Sequence, residues 1–163
     1  MNLSLSQAVA NALIARGWTL ALAESCTGGL VSAALTELPG SSAWFERAYI
    51  TYSNQAKVEC LGVPIEMIDS FGAVSEPVAI SMAQGARKNA AVNVAISITG
   101  IAGPTGGSPE KPVGTVCFAW ALGDDEKHTT YKTMHFEGDR SSVRMQACEY
   151  ALTELIHLLT SHP

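Results

Sequence analysis

Two apolar runs in this chain each break into a glycine-rich turn, and that repetition limits the fold more than any other feature. Residues 19–23 form a short apolar run, as expected of a buried strand, and lead into Glu24-Ser25-Cys26-Thr27-Gly28-Gly29. Val92, Val94, Ile96 and Ile98 alternate with Asn93, Ala95 and Ser97 at the period of a strand. They lead into Thr99-Gly100-Ile101-Ala102-Gly103-Pro104-Thr105-Gly106-Gly107. Strands that end in such turns belong to α/β folds, whose ligands gather at the carboxyl edge of the sheet.

The rest of the chain alternates helix and strand signals. Leu5, Val9, Ala12, Leu13 and Arg16 recur at helical spacing and stop at Gly17. Residues 30–38 resume a helical pattern that Pro39-Gly40 ends. Residues 45–52 read as a strand, and residues 54–61 and 64–71 as short helices. Ser75-Glu76-Pro77 opens a helix to about Asn89, with proline early, where its missing N–H costs little. Residues 113–122 and 129–136 read as an antiparallel hairpin about Gly123-Asp124-Asp125. Val143, Ala147, Tyr150, Ala151, Leu155 and Leu158 share one face of a final helix. The expected fold is α/β: one layered α/β/α domain over residues 1–163, with a mixed, mostly parallel sheet, a C-terminal antiparallel hairpin and a closing helix.

Composition narrows the function. Hydrophobic residues make up 47% of the chain and charged residues 15%, which excludes a disordered chain. The net charge of −5 comes without any basic run, so nucleic acid is not an expected partner. Residues 1–6 carry no cationic leader, and no apolar run approaches the ~18 residues of a membrane helix. A soluble, cytoplasmic protein with no membrane partner is expected. So few charges leave much weakly polar surface, for which a homo-oligomer, a dimer or higher, is the expected use. Trp44 and Phe45, after the Pro39-Gly40 turn, fit either the core or that interface, and the interface is the preferred expectation. Cys26, Cys60, Cys117 and Cys148 are widely spaced and suggest no metal site. The last three are expected to be small core residues.

Three features can carry chemistry. Ser25 stands where a strand turns into a helix, the position of a nucleophile beside backbone N–H groups that hold an oxyanion. Gly28 and Gly29 let a ligand approach the backbone. The alternative is that Ser25 or Thr27 only caps the following helix. A serine nucleophile needs a base. The four histidines, His128, His135, His157 and His162, lie in or beside the hairpin and at the chain end, and none pairs as metal ligands do. Of the five lysines, Lys57 stands apart, opening a short helix in an apolar neighbourhood after Tyr52-Ser53-Asn54. Neutral lysine acts as a base if burial or a nearby cation lowers its pKa. The alternative is an ordinary surface lysine. The loop from Thr99 through Gly100 and Gly103 lacks the lysine of a phosphate-binding P-loop but offers backbone N–H groups to a phosphate or ribose. Arg140, at the start of the final helix, is suited to fork onto a phosphate or to pair with Asp139.

These segments together resemble the CinA C-terminal domain family, and within it the stand-alone nicotinamide mononucleotide amidases. The resemblance rests on residues 23–29, Pro39-Gly40-Ser41-Ser42, Tyr52-Ser53-Asn54 with Lys57, Leu61-Gly62-Val63, and Gly72-Ala73-Val74-Ser75-Glu76. It continues through residues 99–107, Lys111-Pro112-Val113-Gly114-Thr115-Val116, and Gly138-Asp139-Arg140 with Val143-Arg144. The segments run in order over nearly the whole chain. The resemblance implies hydrolysis of the carboxamide of nicotinamide mononucleotide to nicotinate mononucleotide and ammonia, in pyridine-nucleotide recycling, with no metal or cofactor. It assigns Ser25 as nucleophile, Lys57 as base and Tyr52 as a polar assistant. Cys26, Thr27, Gly28, Gly29, Asn54, Thr99, Gly100, Gly103 and Arg140 are the expected substrate-binding residues, and Cys26 is the rival nucleophile. Two other functions stay open at this point: a non-catalytic accessory protein linked to competence or DNA damage, and an amidase for another small molecule.

Overall fold

The computed structural model describes residues 2–123 and 126–161. Asp124 and Asp125 of the expected hairpin turn lie outside the described residues, as does His162. Helix α1 (Leu3–Arg16) is capped by the Asn2 side chain and ends at left-handed Gly17, and strand β1 (Leu20–Glu24) follows. Helix α2 (Leu30–Thr36) and a 3₁₀ turn lead to β2 (Phe45–Ile50). Helices α3 (Asn54–Leu61), α4 (Ile65–Phe71) and α5 (Glu76–Ala90) lead to β3 (Val94–Gly100). Strands β4 (Thr115–Leu122) and β5 (Thr129–His135) form the expected hairpin, and α6 (Arg140–Ser161) closes the chain. The α/β expectation holds, with ends shifted by one or two residues.

The sheet order is β2-β1-β3-β4-β5. Strand β1 pairs in parallel with both β2 and β3, while β4 runs antiparallel to β3 and β5. The chain leaves β1 toward one neighbour and returns to the other. The carboxyl ends of β1 and β3 therefore flank a switch point, where open α/β sheets form a crevice.

The two faces of the sheet differ in side-chain size. Leu20, Leu22, Ile96, Ile98, Phe118 and Trp120 face α1, α2 and α6 and form the large core. Phe118 stacks on Trp120 at 5.6 Å, and the Trp120 indole N–H donates to the Ala151 carbonyl at 3.0 Å. On α6, Cys148, Leu152 and Leu159 are buried beside the expected residues. Ala21, Ala23, Ala95, Cys117, Ala119 and Ala121 point the other way, toward α5 and its own Ala79, Ala83 and Ala86. Small residues on both surfaces bring this helix close to the sheet.

Two expectations are corrected. Trp44 is 2% exposed and packs in the large core of its own chain, edge-on to half-buried Phe45. Its ring is not at a subunit interface, because the turn before β2 folds it under α2. Cys60 is exposed, unlike Cys117 and Cys148. It falls beside the inward stripe that Lys57 and Leu61 form on α3.

Gly85 is where α5 admits α3. A Cβ there would lie 2.1 Å from the Leu61 carbonyl oxygen, a backbone atom that cannot swing aside. Alanine in a helix interior ordinarily gains about 1 kcal/mol over glycine. Overpacking of this severity costs about 3 kcal/mol. Gly85→Ala is therefore expected to lower stability by about 2 kcal/mol net. Urea unfolding checks this, and a stabilised variant would refute the packing argument.

Candidate active site

Strand β1 ends inside the sheet, and its hydrogen bonding continues past its last residue on both sides. The Ser25 N–H donates to the Ile98 carbonyl at 3.0 Å, and the Thr51 N–H donates to the Glu24 carbonyl at 2.9 Å. Ser25 is thus fixed at the carboxyl edge between the segments that leave β2 and β3. The chain then turns through Gly28 (φ 57°) and Gly29 (φ 103°), where side chains would be strained, and enters α2.

Lys57 reaches this point from α3. The Ser53 hydroxyl caps the helix by accepting from the Ala56 N–H at 3.0 Å, which turns Lys57 inward. Lys57 is 1% exposed. Its Nζ lies 3.0 Å from Ser25 Oγ, 2.9 Å from the Thr51 carbonyl, 3.2 Å from the Tyr52 carbonyl and 3.5 Å from the Ser53 carbonyl. The surface-lysine alternative is excluded. Burial lowers the Lys57 pKa from its ordinary value of 10.5, and the neighbouring Cys26 only partly offsets this. A neutral amine has two N–H donors and one lone pair. Two carbonyls take the donors, which leaves the lone pair for the Ser25 hydroxyl.

Cys26 lies beside Ser25 but is a poor nucleophile. Burial pushes its thiol up to about 11, against the favourable pull of Arg144. The Arg144 guanidinium, from α6, donates to the Cys26 and Thr27 carbonyls at 3.1 Å each. A peptide N–H points opposite its carbonyl, so the N–H groups across these two peptides point away from Arg144. The Gly28 N–H is spent on the Ser25 carbonyl at 3.0 Å. Apart from the Cys26 thiol, no acceptor meets the Cys26 and Thr27 N–H groups among the described residues.

Most of the expected site residues meet in one cleft of about 270 Å³. Ser25, Cys26, Tyr52, Asn54, Lys57, Thr99, Gly100, Gly103 and Arg140 line it, together with Ala73, Val74, Ile101, Ala102, Thr105 and Gly106. Thr27, Gly28 and Gly29 do not line it. Thr27 is fully buried with its hydroxyl on Glu24, and the two glycines shape the turn from behind. Thr99 is also buried and spends its hydroxyl hydrogen on the Ala73 carbonyl at 2.9 Å. Arg140 crosses the cleft rim, donating to the Gly103 carbonyl at 2.8 Å and to the Tyr52 phenol at 3.1 Å. The Tyr52 phenol therefore points toward Arg140, while its backbone carbonyl faces Lys57. A second cavity, lined by Trp18, Leu122, His128 and Leu158 among others, contains neither Ser25 nor Lys57. Among the described residues no group of three or more His, Cys, Asp or Glu side chains gathers to hold a metal, and no helix is long and apolar enough to cross a membrane.

Sequence reasoning missed Glu24 and the part Arg144 plays. The signal for Glu24 was an acidic residue ending an apolar strand, with hydroxyls following at Thr27 and Ser32.

Known proteins are similar to this chain in sequence and in fold. The chain is 54% identical over 153 residues to the nicotinamide-nucleotide amidohydrolase PncC of Escherichia coli, covering 94% of this chain and 92% of that one. It is 54% identical over 156 residues to a CinA-like protein of Syntrophobacter fumaroxidans, but spans only 36% of that longer chain. The crystal structure of a CinA superfamily protein from Klebsiella pneumoniae superposes with a TM-score of 0.93 at 39% identity, covering 99% of both chains. The crystal structure of the competence/damage inducible protein CihA from Agrobacterium tumefaciens superposes with a TM-score of 0.90 at 41% identity, covering 96% of this chain and 94% of that one. The CinA C-terminal domain model matches residues 2–159, and the chain belongs to that family.

Proposed function

We propose that this chain hydrolyses the carboxamide of nicotinamide mononucleotide, releasing nicotinate mononucleotide and ammonia. The observation that carries the reading is the buried Lys57 amine held 3.0 Å from Ser25 Oγ in the cleft. The similarity to PncC over almost the whole of both chains supplies the substrate.

Neutral Lys57 takes the Ser25 proton directly. The Tyr52 phenol is not needed as a relay, since it faces Arg140. Ser25 Oγ attacks the carboxamide carbon, and the N–H of Cys26, which lines the cleft beside it, holds the oxyanion. Protonated Lys57 then passes its proton to the departing nitrogen, and ammonia leaves. Water, deprotonated by Lys57, cleaves the acyl-enzyme ester and restores Ser25. The Tyr52 ring, 60% exposed and the aromatic side chain of the cleft lining, offers its face to the cationic pyridinium. Arg140 and the loop from Thr99 to Gly106 receive the phosphate and ribose, with Asn54 at the rim. The reaction serves pyridine-nucleotide recycling in the cytoplasm. Exposed Leu3, Ile14, Ile65 and Phe71, on a chain so poor in charge, favour assembly as a homo-oligomer.

Ammonia release from nicotinamide mononucleotide, nicotinamide, nicotinamide riboside and glutamine tests the substrate. Only the nucleotide is expected to react, and no ammonia from it would sink the proposal. Ser25→Ala is expected to lose about 10⁴-fold or more of kcat, and Lys57→Met about 10²–10⁴-fold. Cys26→Ala should keep most of its turnover. The reverse pattern at positions 25 and 26 would move the nucleophile to the thiol.

Activity should rise with pH as Lys57 gives up its proton, with the midpoint of the kcat/KM limb below 10.5. Between that midpoint and 10.5 the unfolded chain binds the proton that the folded chain has released. Stability therefore rises with pH through this window. Urea unfolding of wild type and Lys57→Met on both sides of the midpoint checks the sign. A slope that survives in Lys57→Met belongs to another group.

A further inference from the structure

Glu24 ends β1 immediately before Ser25, and its side chain is fully buried. One carboxylate oxygen accepts from the Thr27 hydroxyl at 2.7 Å and the Val31 N–H at 3.0 Å. The other accepts from the Ser32 N–H at 3.1 Å and the Ser32 hydroxyl at 2.5 Å. All four partners are neutral. An ionised carboxylate has about four lone-pair sites, and four donors fill them. Two of the donors are backbone N–H groups, which cannot reverse their polarity.

Burying an anion without a cation is costly, and what this one fixes is the segment that carries the nucleophile. Its donors belong to residues 27, 31 and 32, so the carboxylate ties the turn down to the start of α2. Arg144 holds the same turn from the other side by the Cys26 and Thr27 carbonyls. The Glu24 backbone extends the connection to the base. Its carbonyl accepts the Thr51 N–H, and the Thr51 carbonyl accepts from Lys57 Nζ, both at 2.9 Å. Glu24 itself does not line the cleft.

We propose that Glu24 is a positioning residue whose buried carboxylate fixes the turn so that Ser25 Oγ meets Lys57 while the Cys26 N–H faces the same reacting carbonyl. This rests on the serine–lysine reading above. The residues assigned to the nucleotide come from other segments, after β2 and β3 and from α6. Loss of the carboxylate therefore acts on kcat and leaves KM in place.

Glu24→Gln keeps the shape but turns an NH₂ group toward donors. Turnover of nicotinamide mononucleotide is measured beside the rate at which a fluorophosphonate labels Ser25, both normalised to folded protein by circular dichroism and thermal midpoint. The expected result is a fall of about 10²-fold in kcat and a similar fall in labelling, as for a nucleophile displaced by about 1 Å. KM should stay within about threefold, since uniform binding is untouched. Ser32→Ala removes one donor, and its expected loss in kcat is about threefold to tenfold at unchanged KM. It carries the test if Glu24→Gln does not fold. Wild-type kcat and labelling in folded Glu24→Gln would overturn the proposal, as would a loss explained wholly by the unfolded fraction. If wild type is labelled at Ser25 but releases no ammonia, the substrate reading fails and the labelling comparison still decides the role of Glu24. If the reagent does not label wild-type Ser25, both readings fall.

Discussion

Keeping one amine away from water is the constraint around which this structure is arranged. Lys57 in solvent would hold its proton and be useless as a base. Inside the protein the charged form loses hydration, and only a few backbone carbonyls replace it. The balance leaves an amine that accepts a proton at modest cost. Among the described residues no carboxylate hydrogen-bonds to Lys57, and an ion pair there would restore the charge.

The fold delivers this arrangement through its strand order. Placing β1 between β2 and β3 sends the segments after β2 and β3 to opposite sides of Ser25. The first supplies the carbonyls around Lys57 and the Tyr52 ring. The second supplies the glycine loop. Helix α6 then crosses the end of β1, and its two arginines take different duties. Arg140 spans the rim of the cleft, while Arg144 holds the turn beneath it. In a chain whose net charge is −5, Arg140 thus brings one guanidinium to the rim of the cleft.

Most of the architecture was legible in the sequence. Strand alternation at Val94, Ile96 and Ile98, the proline at the start of α5 and the glycine stops all act locally, so local pattern reveals them. The environment of Lys57 was legible only in part. An apolar neighbourhood set it apart from the other lysines, but its burial arises because α3 is pinned between β2 and α5, a tertiary fact that the eight residues of the helix do not advertise. Trp44 was misplaced for a related reason, since nothing near the Pro39-Gly40 turn says which way the chain folds back. Glu24 hid behind its charge: a carboxylate usually means surface, and its four donors become visible only once α2 is docked. Ser25 and the glycine loop stood out through the local pattern of strand and turn, and the family resemblance carried the functional roles that spacing alone left open.

The unequal faces of the sheet give the molecule two different capacities for substitution. The large core under α1, α2 and α6 has room to trade one bulky side chain for another, because neighbours of similar volume can exchange shape. The alanine face has no such currency. Ala21, Ala23, Ala95 and Ala119 are already minimal, so almost every replacement there enlarges. Enlargement lifts α5, and α3 rides on α5 through Gly85. Drift on the thin side of the sheet is thus felt at the amine.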